Sequence, residues 1–567
     1  MPTAETLLEK AYALLEKRPL LAALTVFAVQ ACFTLQARAL WYSDEIRHAN
    51  VYQHVRDAGK WLVLDLNGQP YPDKPPVYFW LLRLLDAVTG IGEPGLFFLG
   101  AAVSAALLII ASWLLFRATL GDKRSTLAGL LALLASLFFL LITHYARMDL
   151  LFSALIIGSQ TALYKAWTEE TPGRWPMVGL GLAGVAVLTK GPLGLVFPLA
   201  TGAVFLLWRG ELRKMASRRM LHGALVCLGL LAAWLIAALI KEGPGFMHAV
   251  FIDQIYLRAV NSWHHKEPFQ YYFIALPLAF LPWTVLLFFA PWRKVLSMDF
   301  WSEAWSNRRE AGGEAYLWIL FLAGFALLTS LSIKVLVYIL PLLPPMAALA
   351  GLRLLRLDAK KARACAVAVG VVYLVLAIAA PFAEICLPFD ISVQGLGFTT
   401  LILGGLGAWL VLGRPQPKSM LAGVVLGVTL WVLPAALLTA PSFDPVMSPK
   451  AQASLMGQYA EAGYAPAASR IYSGLYSYYA GRNITEMESL EDLKAFLASH
   501  PKAVVGVPKK YWERWRKDLP GLRIVHEQFI ADRPYVLLLQ ELKAESPSTQ
   551  GAASESSSFS GEEAKGN

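Results

Sequence analysis

Acidic and basic side chains gather where a mostly apolar chain has little reason to keep them. Asp44-Glu45 is followed by Arg47, and Tyr71-Pro72-Asp73-Lys74-Pro75-Pro76 closes the same polar stretch of residues 40–80. Asp44 and Arg47 are three apart, so on a helix they share a face and can form an acid–base pair beside a bound substrate. Trp41 and Tyr42 set a membrane interface directly next to the acids. The plainer reading is a solvated loop start just beyond a span. In the DKPP run each proline fixes its own φ and pushes the preceding residue to extended geometry. Lys74 is thereby held in one backbone conformation, and its ammonium, a point charge, suits a lipid phosphate. A proline turn with an interfacial lysine is the plainer alternative.

A second group lies inside or at the ends of apolar runs: Arg147 and Asp149, Lys190 in TKGP, and Lys334 in SIKVLVYILP. Ionisable groups there are costly and usually face a cavity or a partner, although Lys190 and Lys334 could equally snorkel at helix ends. Arg147 and Asp149 are two apart, a spacing that does not pair on a helix, so each is expected to reach a different neighbour. The run Asn261 to Tyr272 supplies His264 and His265, which with Asp73 have the ligand types for a divalent cation such as zinc. No CxxC or HExxH spacing accompanies them, and an incidental histidine pair on a loop reads the same.

The elements that position these groups follow from composition. Of 567 residues, 56% are hydrophobic and only 16% charged, against roughly 25% charged in soluble proteins. Long apolar runs recur between residues 19 and 440, so the expected fold is a polytopic α-helical membrane protein. The net charge of +10 comes from short basic clusters between those runs and records topology, not nucleic-acid binding. Clusters at 209–219, 293–309, 353–363 and 414–418 are expected in the cytoplasm, as are Lys17 and Arg18. The run 76–90 falls short of the roughly 20 residues that a span needs. Taken as re-entrant or as a dip into the membrane, it leaves about 13 spans, N-terminus in and C-terminus out. The loops 41–75 and 241–269 then share the outer face with everything after 440.

Residues 1–18 carry Leu7, Leu8, Ala11, Leu14 and Leu15 on one helical face, which predicts an interfacial helix; no cleavable signal peptide is evident. Residues 441–545 predict a small soluble α/β domain. Its strands are expected at Arg470–Tyr472, Ala503–Val507, Leu522–Val525 and Tyr535–Leu539, and one helix is capped at Ser489. Residues 546–567 are low-complexity and predict a disordered tail. Cys32, Cys227, Cys365 and Cys386 make no CxxC pair, and the two halves of the apolar region show no repeat.

In order and placement, Asp44-Glu45, YPDKPP, Arg147-Met148-Asp149, LTKGP and S-I-K-…-Y-I-L-P resemble the GT-C glycosyltransferases. Among these the resemblance is to the aminoarabinose transferases acting on lipid A, kin of the protein O-mannosyltransferases. The likeness runs nearly the whole length, and the outer domain favours the aminoarabinose branch. It implies a transmembrane glycosyltransferase domain over 1–440 in the bacterial inner membrane, with its site facing the periplasm. By position, Asp44 is the essential acid, and Arg47, Tyr71, Lys74, Lys190 and Tyr338 line the polyprenyl-phosphate site. Glu45, Arg147, Asp149 and Lys334 join the substrate-binding set. Asp73, where relatives often carry Glu, and His265 become the candidate metal pair.

The implied donor is 4-amino-4-deoxy-L-arabinose on undecaprenyl phosphate. The acceptor is lipid A or another envelope glycan, with inversion at the anomeric carbon, and membrane lipids are the remaining partners. No glycine-rich nucleotide loop is present, in keeping with a lipid-linked donor and no nucleotide cofactor. The alternatives are mannosyl or hexosyl transfer to a protein or another glycan, a transporter, which often shows repeated halves, and a non-catalytic scaffold of envelope assembly.

Overall fold

The computed structural model describes residues 4–257, 267–310 and 312–540, apart from Thr34, Gln36 and Ala37. The chain is a polytopic, mostly α-helical membrane protein with a small β-rich C-terminal extension. Seven of the described helices are long and apolar enough to cross a bilayer: Gly95–Leu120, Arg218–Glu242, Gly313–Ser330, Leu336–Leu355, Ala359–Cys386, Leu396–Gly413 and Pro417–Ser442. An eighth candidate is the pair Tyr271–Ala279 and Trp283–Phe289, bent by 107°. Proline explains the break, because Pro277 and Pro282 have no N–H to donate to the turn before them. Shorter apolar helices run over Pro19–Ala31, Trp175–Lys190 and Leu193–Arg209.

Small residues let these helices approach closely. A Cβ on Gly351 would lie 2.5 Å from the backbone of Ala128, and one on Gly129 3.1 Å from the Ala348 Cα, so the Lys123–Leu134 and Leu343–Leu355 helices touch backbone to backbone. Such contacts replace the hydrophobic drive that lipid cannot supply between helices.

The helix Val77–Thr89 is of another kind. It is as long as Pro19–Ala31, 13 residues, but it carries Arg83 and Asp86 in its body. Asp86 accepts a 2.7 Å hydrogen bond from Tyr52, which ties Val77–Thr89 to the helix Asp44–Asp57. Tyr78, Phe79 and Leu82 bury their side chains in one core with Ile46, Tyr52 and Phe97. The two helices thus form a polar-capped layer at one end of the apolar bundle.

A two-residue hairpin, Asp65–Leu66 with Gln69–Pro70, follows the Asp44–Asp57 helix. Its turn is Asn67-Gly68, both at positive φ, as a tight hairpin requires. Asn67 is nevertheless buried. Its side-chain amide donates to the carbonyl of Ile484, and its oxygen accepts from Ser477 and from the amide of Ile484, each at 2.7 Å. One asparagine therefore fastens the first polar loop to the C-terminal extension.

That extension is a five-stranded sheet in the order Thr485–Met487, Ala465–Ser469, Ala503–Pro508, Arg533–Gln540, Leu522–Ile530. The first three strands are parallel, and the last two add antiparallel. The crossover helix Leu490–Ser499 starts where the sequence marks a cap, with Ser489 accepting from the Asp492 amide at 3.0 Å. The expected strand at Arg470–Tyr472 is not one. The strand stops at Ser469, and Arg470 turns the chain away at φ 56°. Further ties run from Asp444, which accepts from the Ala39 amide at 2.9 Å and from the Trp41 indole at 2.7 Å. Residues 546–567 lie outside the described residues.

Candidate active site

The polar loop builds its site on a helix start. Asp44 and Glu45 occupy the first turn of Asp44–Asp57, where the helix dipole favours negative charge, yet they face different partners. Glu45 is 1% exposed. Arg38 grips it bidentately at 2.7 and 2.8 Å, and the amides of Trp41 and Ala146 donate to the same carboxylate at 2.8 and 2.6 Å. Arg38 also donates to the His144 carbonyl at 2.9 Å and lies 3.9 Å over the Trp41 ring. Glu45 was expected to bind substrate. Its hydrogen-bonding positions are instead taken by the chain itself, because Arg38, a residue that sequence reasoning missed, ends the first apolar stretch directly above it.

Asp44 takes the other direction. Its carboxylate pairs with Arg147 at 2.7 Å, and Arg147 pairs with Asp149 at 3.0 Å. Asp149 in turn holds Lys190, whose ammonium sits 4.5 Å over the ring of Tyr338. The expectation that Arg147 and Asp149 cannot pair is corrected by where the helix begins. Asp149 is its first residue and Arg147 precedes it, so helical spacing does not govern the pair. Four charges of alternating sign thus form a relay from the polar loop to the end of Trp175–Lys190.

Burial by itself would raise the Asp44 carboxyl. Arg147, His48, Lys74 and Arg47 together outweigh it, and the carboxyl is held well below the usual carboxylate range. A fifth of the Asp44 side chain, 22%, stays exposed. It is ionised, tethered on one side and open on the other.

Arg47 was expected to pair with Asp44. Its guanidinium instead donates to the Tyr472 hydroxyl at 2.8 Å and lies between two rings, 4.3 Å from that of Tyr472 and 5.2 Å from that of Tyr71. Arg47 is buried, and among the described residues its Nε has no hydrogen-bond partner; neither has the Tyr71 hydroxyl. Burial pushes the Tyr71 hydroxyl up, so it stays protonated and able to donate. His48, one turn beyond Asp44, is also buried, with both ring nitrogens unpartnered and its ring edge-on to Phe79. Unmet donors buried beside several cations suit an anionic, oxygen-rich ligand.

Lys74 acts electrostatically on both Asp44 and His48, which places it in the same cluster. Among the described residues Lys334 does not join by direct contact. Its ammonium donates to the carbonyls of Leu331 at 2.7 Å and Glu267 at 3.2 Å, ending the helix Gly313–Ser330. Of the metal pair, Asp73 borders the site, since its charge acts on Arg47, whereas His265 lies outside the described residues. Among the described residues no three His, Cys, Asp or Glu side chains converge as a cation cage.

Sequence reasoning missed Arg38, His48 and Tyr472. Arg38 carried a signal, a charge at the end of an apolar run, and His48 another, the i+4 position from Asp44. Tyr472 carried none.

Residues 73–237 match the protein family described as dolichyl-phosphate-mannose-protein mannosyltransferase. The chain is 28% identical over 432 residues to undecaprenyl phosphate-alpha-4-amino-4-deoxy-L-arabinose arabinosyl transferase 2 of Pseudomonas fluorescens, covering 73% of this chain and 70% of that one. It is 30% identical over 339 residues to the corresponding transferase of Pseudomonas aeruginosa, covering 58% of each. Among solved structures, ArnT from Cupriavidus metallidurans superposes in its apo state with a TM-score of 0.72 at 19% identity, over 93% of this chain and 98% of that one. The same protein bound to undecaprenyl phosphate gives 0.69, over 92% and 97%.

Proposed function

Starting from a chain that has the GT-C fold and is related to the aminoarabinose transferases, we propose that it is an inverting membrane glycosyltransferase. It takes a sugar, 4-amino-4-deoxy-L-arabinose, from undecaprenyl phosphate and transfers it to a phosphate of lipid A. The observation that carries the reading is the cluster beside Asp44: buried Arg47 with an unpartnered Nε, buried Tyr71 with an unpartnered hydroxyl, and half-buried Lys74.

In this reading Lys74 and Arg47 receive the donor phosphate, and Tyr71 donates to one of its oxygens. The acceptor oxygen forms a bond to the anomeric carbon while the bond to the polyprenyl phosphate breaks. The leaving phosphate gains the electron pair, and fixed cations stabilise the charge as it grows. Asp44, held ionised by Arg147, is too weak a base to draw a proton from a sugar or serine hydroxyl efficiently. That favours an acceptor already ionised, such as a phosphate, over a protein hydroxyl. Asp44 then orients the acceptor side, and Arg147, Asp149 and Lys190 fix its position, with Tyr338 seating Lys190. Glu45 positions the helix start. Asp73 and His265 are the pair to test for a divalent cation; the steps above use the chain's own cations alone.

We count 13 crossings. They are the seven long helices, the bent pair, the three short apolar helices, Lys123–Ile142 and Asp149–Thr168. That count puts residues 40–94, 243–270 and 441–545 on the periplasmic side of the inner membrane. It leaves Val77–Thr89 at the surface.

Asp44→Asn and Lys74→Ala should abolish transfer in membranes that still contain the inserted protein. Mass spectrometry of lipid A with and without the wild-type chain reads the same reaction and identifies the sugar. Wild-type turnover in either variant would sink the assignment.

A further inference from the structure

Arg47 is clamped by residues from opposite ends of the sequence. Tyr71 belongs to the first polar loop, whereas Tyr472 comes from the loop that leaves the strand Ala465–Ser469 of the C-terminal sheet. That loop reaches the site by design of its backbone. Arg470 turns it at φ 56°, and Gly474 at φ +80° presses its backbone on the first-loop hairpin, where an added Cβ would lie 2.7 Å from Leu66. The Glu486 carboxylate accepts from the Gly474 amide at 2.7 Å and holds the turn. Tyr472 then lies 6.1 Å from the ring of Tyr42 and accepts the 2.8 Å hydrogen bond of Arg47. A long, flexible arginine is left with one buried pose and with its Nε unpartnered.

We infer that Tyr472 is a positioning residue through which the docked C-terminal sheet completes the donor-phosphate site, by holding Arg47 against the polyprenyl phosphate. The inference rests on the glycosyl-transfer reading and deepens it. A tyrosine ring over a guanidinium and a hydroxyl at one of its nitrogens fix the fork in direction. The remaining donors then point at one place without a further loss of side-chain entropy when the lipid arrives. The C-terminal sheet is thus part of the donor site.

The test uses the purified full-length chain with separate titrations of sugar donor, acceptor and plain undecaprenyl phosphate. Tyr472→Ala should raise the donor KM and weaken undecaprenyl-phosphate binding about tenfold, the worth of a hydrogen bond to a charged group, while the acceptor KM stays unchanged. Tyr472→Phe, which keeps the ring and the fold, should recover part of that loss. In an Arg47→Ala background, Tyr472→Ala should cost nothing further. Unchanged donor KM and lipid binding in Tyr472→Ala would overturn the inference, as would a rise confined to the acceptor KM or full additivity with Arg47→Ala. An Arg47→Ala chain that binds undecaprenyl phosphate normally would strike the phosphate reading of the site itself, and the inference with it.

Discussion

Asp44 and Glu45 are neighbours in sequence and in the same helical turn, yet they sit in opposite electrostatic regimes. Glu45 is saturated: two bonds from Arg38, two from backbone amides, and almost no surface. Asp44 is paired with Arg147 and keeps an open edge. The same split divides the two arginines, since Arg38 spends its donors on Glu45 and on carbonyls while Arg47 keeps a buried Nε unspent. A saturated buried pair can only hold a shape. An unsaturated one can still bind something. Charge content therefore does not find a site; unspent hydrogen-bonding capacity does.

The sharpest way to break this comparison is to exchange the phenotypes. Asp44→Asn should lower transfer at least about a hundredfold while the melting temperature stays near wild type. Arg38→Ala should do the reverse at first instance, destabilising the chain by about 3–5 kcal/mol because a buried carboxylate is left unpaired. Turnover per folded molecule, with folding followed by thermal melting in detergent, separates the two. Equal effects on turnover and melting in both variants would erase the distinction.

How much of this was visible in the sequence follows from the same contrast. The polytopic helical fold was, because apolar runs and basic clusters report on the membrane whatever their neighbours are. Asp44, Arg47, Lys74, Arg147, Asp149 and Lys190 were visible as charges out of place, and the structure brings them to one end of the bundle. What sequence could not carry was the division of labour. Glu45 looked like Asp44 because the residue that saturates it, Arg38, stands seven positions before it. Arg147 and Asp149 looked unpairable because the helix start was unknown. Tyr472 looked like a strand residue because the turn at Arg470 depends on φ, which a β-type run such as Arg-Ile-Tyr does not reveal.

A milder perturbation is acid. Burial holds His48 down to about 3 and His144 down to about 4, from an ordinary 6.5. For His48, Asp44 opposes the shift while Arg147, Lys74 and Arg47 add to it; for His144, Arg38 adds. Below about pH 6.5 the unfolded chain takes up protons that the folded chain refuses. Stability is therefore full above that pH and declines as pH falls toward 4. Melting curves between pH 8 and 4.5 should show the decline, and His48→Gln should flatten it. A flat profile in the wild type would mean that these rings are solvated in the folded chain.

The smallest effect is expected where a charge looks functional and is spent. Lys334 stands in an apolar run as Lys190 does, but its ammonium is committed to the Leu331 and Glu267 carbonyls, whereas Lys190 answers Asp149 and through it Asp44. Lys334→Met should therefore cost about 1–3 kcal/mol of stability, from two carbonyls losing a charged donor, and leave turnover per folded molecule within about threefold of wild type. Lys190→Met frees Asp149 to compete with Asp44 for Arg147, and should lower turnover far more than it lowers melting. If Lys334→Met proves the more damaging to turnover, its ammonium reaches the lipid despite its backbone partners, and saturation ceases to separate structural charges from working ones.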